Sequence, residues 1–159
     1  MLYKDFATQE ELDAQYALER VVPDAASYAE FYARESERVR GELVHRSRVP
    51  YGPTLAEHAD VFPAPAMEPA PGAPILIYLH GGYWRRFSSE EFGFVARGPA
   101  SRGVATVVVN YALCPAVTVG EIVRQARAAL SWTYRNAASF GGNPGRIHVS
   151  GHSAGGHLA

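Results

Sequence analysis

Three runs of apolar residues mark the second half of the chain, at positions 75–79, 104–109 and 147–149. Each run is nearly continuous rather than alternating with polar residues, which is typical of strands covered on both faces of a parallel sheet. Helical segments separate the runs. Strands that alternate with helices indicate right-handed crossovers, so the pattern predicts an α/β fold with a doubly wound, mostly parallel sheet.

Two helices are predicted between these strands. Ser88-Ser89-Glu90-Glu91 has the capping-box pattern, and its helix is expected to run to about Ser101. Thr118-Val119-Gly120-Glu121 begins the second helix, which the glycine-rich segment 140–145 ends. The predicted apolar face of this second helix contains Ile122, Ala126, Leu130, Thr133 and Ala137.

The N-terminal part has a different pattern. A capping box at Thr8 predicts a short helix to about Leu18, and Asp24 is the expected N-cap of a second helix that Gly41 ends. We expect residues 1–41 to form a helical cap or flap over a main domain that comprises residues 42–159. In that domain, residues 42–49 and 57–62 alternate polar and apolar positions, which predicts two partly exposed strands before the proline-rich loop 63–74.

Composition narrows the class of protein. Of 159 residues, 47% are hydrophobic and 19% charged, and the net charge of -1 gives no electrostatic reason to expect nucleic acid or an anionic membrane as a partner. The N-terminus lacks the apolar segment of a signal peptide, and no stretch is apolar enough to span a membrane. Cys114 is the single cysteine, which suits a reducing compartment. We expect a soluble, cytoplasmic protein.

No cofactor or metal site is predicted. The chain has neither a phosphate-binding loop nor a dinucleotide fingerprint after a strand. His152 and His157 lie five residues apart, whereas a helical zinc pair has a spacing of four.

A candidate nucleophile follows the third apolar run. Gly151-His152-Ser153-Ala154-Gly155 has the Gly-x-Ser-x-Gly pattern directly after a strand, where a sharp turn into a helix lifts the serine hydroxyl above the sheet. Side chains at positions 151 and 155 would collide with the neighbouring strand and helix, so steric crowding explains why both positions are glycine. The alternative is a glycine-rich turn with an idle serine.

A second motif, His80-Gly81-Gly82-Tyr83-Trp84, follows the first apolar run. A glycine pair at this position lets the backbone approach a ligand closely, as an oxyanion hole requires. The alternative is a turn with buried aromatic residues. The two motifs support each other, because each lies where the mechanism of the other needs it.

Together these motifs resemble those of α/β-hydrolases of the hormone-sensitive-lipase and esterase type, and most closely those of the kynurenine formamidases. Tyr83 stands where many lipases have a third glycine. Further segments that carry the narrower resemblance are Glu11-Leu12-Asp13-Ala14-Gln15-Tyr16, Asn110-Tyr111-Ala112-Leu113-Cys114-Pro115 and Tyr134-Arg135-Asn136. The resemblance implies an α/β-hydrolase fold, Ser153 as nucleophile, and backbone N–H groups of Gly82, Tyr83 and Ala154 as the oxyanion hole.

The reaction that this resemblance implies is hydrolysis of N-formyl-L-kynurenine to kynurenine and formate, in tryptophan breakdown, through a formyl-enzyme. Its partner is a small-molecule substrate, and the complete enzyme is a possible homodimer. Tyr83 or Trp84 is expected either to contact an aromatic substrate or to pack in the core. A small-acyl carboxylesterase is the alternative activity, and a catalytically inactive binding protein or truncated product is the alternative class.

The acid and base of a catalytic triad follow the serine in this fold, and no residues follow Ala159 in the chain. His80 is expected to order the oxyanion loop, His152 to point away across the turn and His157 to face its neighbours, while His45, His58 and His148 are scattered. No base is therefore assigned. We expect this polypeptide to be the N-terminal part of an enzyme, inactive and poorly soluble alone, with 147–149 as an unprotected edge strand.

Overall fold

A single mixed sheet organises the computed structural model, which describes residues 5–17, 22, 24–64 and 72–159. Its strands, in the order β1-β2-β4-β3-β5, are β1 (Arg46–Pro50), β2 (His58–Phe62), β3 (Ala73–Leu79), β4 (Ala105–Val109) and β5 (Gly142–Gly151). β2 pairs antiparallel with β1 and β4, whereas β3 pairs parallel with both β4 and β5. The predicted parallel arrangement of the three apolar runs is therefore confirmed.

Helices lie on both faces of the sheet. The described residues contain α1 (Gln9–Tyr16), α2 (Ala25–Glu42), a 3₁₀ helix (Ser89–Ala96) that continues into α3 (Arg97–Ala100), α4 (Val119–Asn136), a short 3₁₀ turn (Ala137–Phe140) and α5 (Ala154–Leu158), and of these α2 and α4 cover opposite faces. The fully buried strand β4 shows why two layers are needed. Val107 packs in a core with Ala129 of α4, and Val108 packs in a second core with Val39 of α2. Successive side chains of a strand point to opposite faces, so an apolar β4 requires cover on both sides.

The strand β5 differs from its prediction. It is longer than 147–149, and Val149 is 40% exposed, whereas its position at the edge of the sheet is the one expected for this polypeptide. The expectation of cover on both faces is therefore wrong for β5. Among the other strands, β2 is buried at every position although its alternation predicted partial exposure, and β1 begins only at Arg46.

The helices also correct the sequence prediction in detail. The segment after Ser88 has the predicted capping box but is a 3₁₀ helix as far as Ala96. In α4, Leu130 is 41% exposed, and the buried face contains Ile122, Gln125, Ala129 and Thr133. Steps of four residues overshoot one helical turn by about 40° each, so a face counted in fours rotates away from the core.

At the N-terminus, the capping box of Thr8 is confirmed and α1 ends at Tyr16, with Leu18 outside the described residues. Asp24 is the N-cap of α2, but its side chain makes no capping hydrogen bond, and the helix continues through Gly41. The guanidinium of Arg40 lies 2.9 Å from the carboxylate of Asp60 and ties α2 to β2. The division of the chain at residue 41 stays a prediction.

Across the described residues, no helix combines the length and the apolar character needed to cross a membrane. The same residues contain no group of three or more His, Cys, Asp or Glu side chains placed to hold a metal ion. In the proline-rich loop, residues 65–71 lie outside the described part of the chain, and β3 begins at Ala73.

Candidate active site

Ser153 forms the junction between β5 and α5. Its backbone has φ 54° and ψ -118°, a region that non-glycine residues rarely adopt. Such a conformation costs about 1–3 kcal/mol and persists only where the surroundings hold it. The residue is exposed, and its side chain makes no capping hydrogen bond to α5. The hydroxyl is therefore displayed at the sharp turn rather than used to stabilise the helix.

The structure has no room for a side chain at either glycine of the serine motif, as the sequence predicts. A Cβ added to Gly151 would overlap the carbonyl of Gly155, and a Cβ added to Gly155 would overlap the carbonyl oxygen of Leu79. The turn is thus packed backbone to backbone against the end of β3. Only glycine fits at either position without moving the main chain.

The two sequence motifs meet at Gly81. A Cβ built on Gly81 would lie 2.9 Å from the carbonyl oxygen of His152 and 3.3 Å from Cβ of Ser153. The N–H of His152 also donates to the carbonyl of Leu79 at 3.3 Å. The loop after β3 and the turn after β5 are therefore in contact at the serine, because neighbouring parallel strands end at the same edge of the sheet.

The backbone of the loop after β3 is strained and tightly hydrogen-bonded. Gly82, Tyr83 and Trp84 have φ values of 118°, 59° and 57°. The carbonyl of Gly82 accepts hydrogen bonds from the N–H groups of Arg85 and Arg86, both at 2.9 Å. Because C=O and N–H point in opposite directions across a trans peptide, these bonds fix the direction of the N–H of Tyr83.

His80 fixes the preceding peptide in the same way. Its ring Nδ1 lies 2.7 Å from the carbonyl oxygen of Gly81, so the neutral ring with its proton on Nδ1 donates to that carbonyl. This bond sets the direction of the N–H of Gly82. Burial lowers the pKa of His80 to about 4, although its hydrogen bond to Gly81 and the charge of Glu91 oppose the shift. The ring is therefore neutral at pH 7.

The third candidate donor, Ala154, is the first residue of α5. The N–H groups of the first helical turn have no acceptor within the helix and are available to a ligand. Oxyanion holes for acyl transfer use backbone N–H groups of this kind. Ala154 follows Ser153 directly and is buried, at 5% exposure.

The aromatic residues of the loop separate into two environments. Tyr83 is 41% exposed, and its hydroxyl lies 3.4 Å from the carbonyl oxygen of Tyr16 at the end of α1. Trp84 packs edge to face with His157, with ring centroids 5.2 Å apart. Trp84 thus packs against α5, whereas the ring of Tyr83 is partly exposed to solvent.

All six histidines lie in the described residues, and none is hydrogen-bonded to the hydroxyl of Ser153. The rings of His45 and His58 bind the nearby carbonyls of Leu43 and Leu55. His148 is exposed on β5, and Nδ1 of His152 lies beside Gly81. The base of a triad therefore stays unassigned among these side chains.

Sequence reasoning gave no role to Tyr111, which the structure brings to this site. Tyr111 is 2% exposed, and its hydroxyl donates to the carbonyl of His80 at 2.5 Å. One signal was present in the sequence. Tyr111 is the second residue after the β4 run and His80 is the first after the β3 run, so two parallel strands bring both residues to the same edge.

Comparison with known proteins agrees with this geometry. Residues 60–159 match the BD-FAE family. The chain belongs to the BD-FAE family. This BD-FAE protein is 33% identical over 158 residues to the kynurenine formamidase of Danio rerio, covering 96% of the chain and 52% of that enzyme. It therefore spans about half the length of this relative.

Solved structures identify the fold of this BD-FAE protein. A candidate thioesterase from Silicibacter sp. superposes with a TM-score of 0.78 at 33% identity, over 93% of the present chain and 53% of its own. Esterase 2 of Thermogutta terrifontis with bound propionate superposes with a TM-score of 0.62 at 27% identity, over 76% and 44%. The predicted α/β-hydrolase fold of the esterase type, close to the kynurenine formamidases, is confirmed.

Proposed function

We propose that this chain carries the nucleophile and the oxyanion hole of a serine hydrolase that cleaves a formamide or ester bond. The observation that carries the proposal is the strained, exposed Ser153, with Gly81 of the second motif packed against it. A serine on such a turn attacks a carbonyl carbon, and the N–H groups of Gly82, Tyr83 and Ala154 stabilise the oxyanion that forms. Collapse of the oxyanion breaks the C–N or C–O bond and expels the amine or alcohol, and water then hydrolyses the acyl-serine to the acid and free Ser153.

Within this class we propose N-formylkynurenine as the substrate. The support is the likeness to the kynurenine formamidase of Danio rerio along nearly the whole chain. The exposed ring of Tyr83 next to the proposed oxyanion hole gives an aromatic substrate a surface to stack on. Attack by Ser153 on the formyl carbon would release kynurenine first, and hydrolysis of the formyl-serine would release formate.

A carboxylesterase for small acyl groups is the second candidate. It is favoured by the likeness to esterase 2 of Thermogutta terrifontis, which was solved with propionate bound. The two candidates share Ser153 and the oxyanion hole and differ in the acyl group that Ser153 takes up and in the leaving group, which is an amine in one and an alcohol in the other. They are separated by comparing kcat/KM for N-formylkynurenine and for p-nitrophenyl acetate.

The proposal is tested on protein expressed from the complete open reading frame. We expect a fluorophosphonate probe to label the wild type, and Ser153→Ala to abolish both labelling and hydrolysis. Ser150→Ala is the matched control, because Ser150 is an exposed serine three residues earlier on the regular part of β5. A folded wild type that neither reacts with the probe nor hydrolyses either substrate would support the alternative of a binding protein without catalysis.

A further inference from the structure

Tyr111 and His80 form the closest ring stack at the proposed site. Their ring centroids are 4.1 Å apart and the planes are 3° from parallel. The hydroxyl of Tyr111 also donates to the main-chain carbonyl of His80 at 2.5 Å. Both residues are almost fully buried, with exposures of 2% and 0%, so neither contact competes with bulk water.

These two contacts act on successive peptides of the same loop. The hydroxyl holds the carbonyl of His80, which fixes the peptide that enters Gly81. The stacked ring holds the imidazole of His80, whose Nδ1 binds the carbonyl of Gly81. That second bond sets the direction in which the N–H of Gly82 points. The orientation of a proposed oxyanion donor thus depends on Tyr111 through two routes.

Tyr111 is itself held rigidly by its neighbours in sequence. The side chain of Asn110 accepts from the N–H of Ser89 at 3.2 Å and donates to the carbonyl of Ala56 at 2.9 Å. The N–H of Ala112 donates to the side chain of Gln125 on α4 at 2.8 Å. Burial raises the pKa of Tyr111, which keeps the phenol protonated and able to donate.

We propose that Tyr111 is a positioning residue that aligns the oxyanion loop for the transition state. The inference rests on the proposed hydrolase function. Tyr111 touches no reacting atom in this scheme. It keeps the loop in the conformation that the oxyanion needs, so its loss is expected to lower kcat rather than substrate affinity.

The test is Tyr111→Phe, which removes the hydroxyl and keeps the ring stack. Ser36→Ala is the control, because the hydroxyl of Ser36 also makes one hydrogen bond to the main chain, accepting from the N–H of Phe94 at 3.2 Å. Ser36 is likewise buried, at 0% exposure. Each variant therefore loses one buried hydrogen bond between a side-chain hydroxyl and the backbone, and only the bond of Tyr111 ends on the loop after β3.

With the faster of the two substrates, Tyr111→Phe is expected to lower kcat by about tenfold to a hundredfold while KM changes by less than about twofold. Ser36→Ala is expected to leave kcat within about twofold of the wild type. Equal losses in both variants, or an unchanged kcat in Tyr111→Phe, would show that Tyr111 is only structural.

The Ser153→Ala variant distinguishes an error in the proposed hydrolase function from an error in the role of Tyr111. If Ser153→Ala keeps its activity, the nucleophile is wrong whatever Tyr111 does. If Ser153→Ala is inactive and Tyr111→Phe is fully active, only the role of Tyr111 is wrong.

Should Tyr111→Phe not fold, Gln125→Met is the substitute variant. It removes the acceptor for the N–H of Ala112 and so loosens the support of Tyr111. A fall in kcat at constant KM supports the inference, and an unchanged kcat contradicts it.

Discussion

Gly155, the second residue of α5, packs directly against the main-chain carbonyl of Leu79, the last residue of β3. A Cβ at this position would overlap that carbonyl oxygen and would also lie 2.5 Å from the carbonyl oxygen of His80. The start of the helix after the serine is therefore in backbone contact with the strand that precedes the proposed oxyanion loop, residues 80–84. This contact fixes the distance between the two halves of the proposed site.

Gly155→Ala is expected to destabilise the protein by about 3 kcal/mol or more, because a methyl group there must displace main chain rather than a flexible side chain. Gly120→Ala is the matched control. Gly120 is the second residue of α4, and its added Cβ would meet only Oγ1 of Thr118, at 3.7 Å. Alanine in that helix is expected to be neutral or stabilising by up to about 1 kcal/mol. Chemical denaturation of both variants measures the difference, and equal stabilities would contradict the packing.

Gly81→Ala tests the contact between the two motifs. Gly81 has no positive φ, so alanine is allowed by its backbone, but the methyl group would lie 2.9 Å from the carbonyl oxygen of His152. We expect the loop and the serine turn to move apart by a few tenths of an ångström. Such a misplacement is expected to slow fluorophosphonate labelling of Ser153 by about tenfold or more.

The control for this variant is Gly98→Ala, since nothing lies within 4 Å of a Cβ built on Gly98. Its labelling rate is expected to equal that of the wild type. A Gly81→Ala protein that is labelled at the wild-type rate would mean that the two motifs need no fixed distance.

The sequence predicts the parts of this fold that depend on local pattern. The apolar runs that became β3 and β4 and the capping boxes at Thr8 and Ser88 all lie in the structure near their predicted positions. These features depend on residues within a few positions of each other, so the pattern alone contains the information.

Features that depend on distant partners were not predicted. Gln125 is polar and lies outside the apolar face that the sequence predicts for α4, but its side chain is buried and accepts a hydrogen bond from the N–H of Ala112. β2 alternates in sequence but is buried at every position, because it lies between β1 and β4 and is covered by the helices. The contacts of Tyr111 with His80 required the register between β3 and β4, which a single sequence does not give.

The buried ring of His80 predicts a loss of stability in acid. Burial holds its pKa at about 4 in the folded protein, below the ordinary value of 6.5. Below pH 6.5 the unfolded chain takes up a proton that the folded protein does not, so acid favours unfolding until the pH reaches the folded pKa. The stability due to the neutral ring is complete above pH 6.5, and about 2 kcal/mol of it is expected to be lost at pH 5.

His80→Phe keeps an aromatic ring between Tyr111 and Phe92 and cannot titrate. We expect its free energy of unfolding to fall less than that of the wild type between pH 7.5 and pH 5, although it is less stable at pH 7.5 because the carbonyl of Gly81 loses its donor. Urea titrations at several pH values measure both curves. Parallel curves for the two proteins would mean that His80 does not titrate in this way.

The side chain of Glu57 is fully buried, and its carboxylate lies 2.7 Å from the guanidinium of Arg124, which is 47% exposed. Burial favours the neutral acid, but hydrogen bonds from Arg124 and Thr54 outweigh it and lower the pKa of Glu57. Arg124→Met leaves the carboxylate buried with Thr54 as its remaining donor, and we expect a loss of about 1–3 kcal/mol at pH 7, less than for a wholly buried pair because Arg124 is half exposed.

Arg38→Met is the matched control for this ion pair, since Arg38 pairs with Glu35 at the same spacing of three residues at which Arg124 pairs with Glu121. That pair lies on the surface of α2, so its loss is expected to cost less than about 0.5 kcal/mol.

The lowered pKa of Glu57 fixes the sign of the pH effect, because a carboxylate of this kind stabilises the fold above its ordinary pKa and loses that contribution as the pH falls. The difference between wild type and Arg124→Met is therefore expected to be largest near neutral pH and to shrink below about pH 4.5. A difference that stays constant into acid would show that Arg124 stabilises the protein by packing rather than through the charge of Glu57.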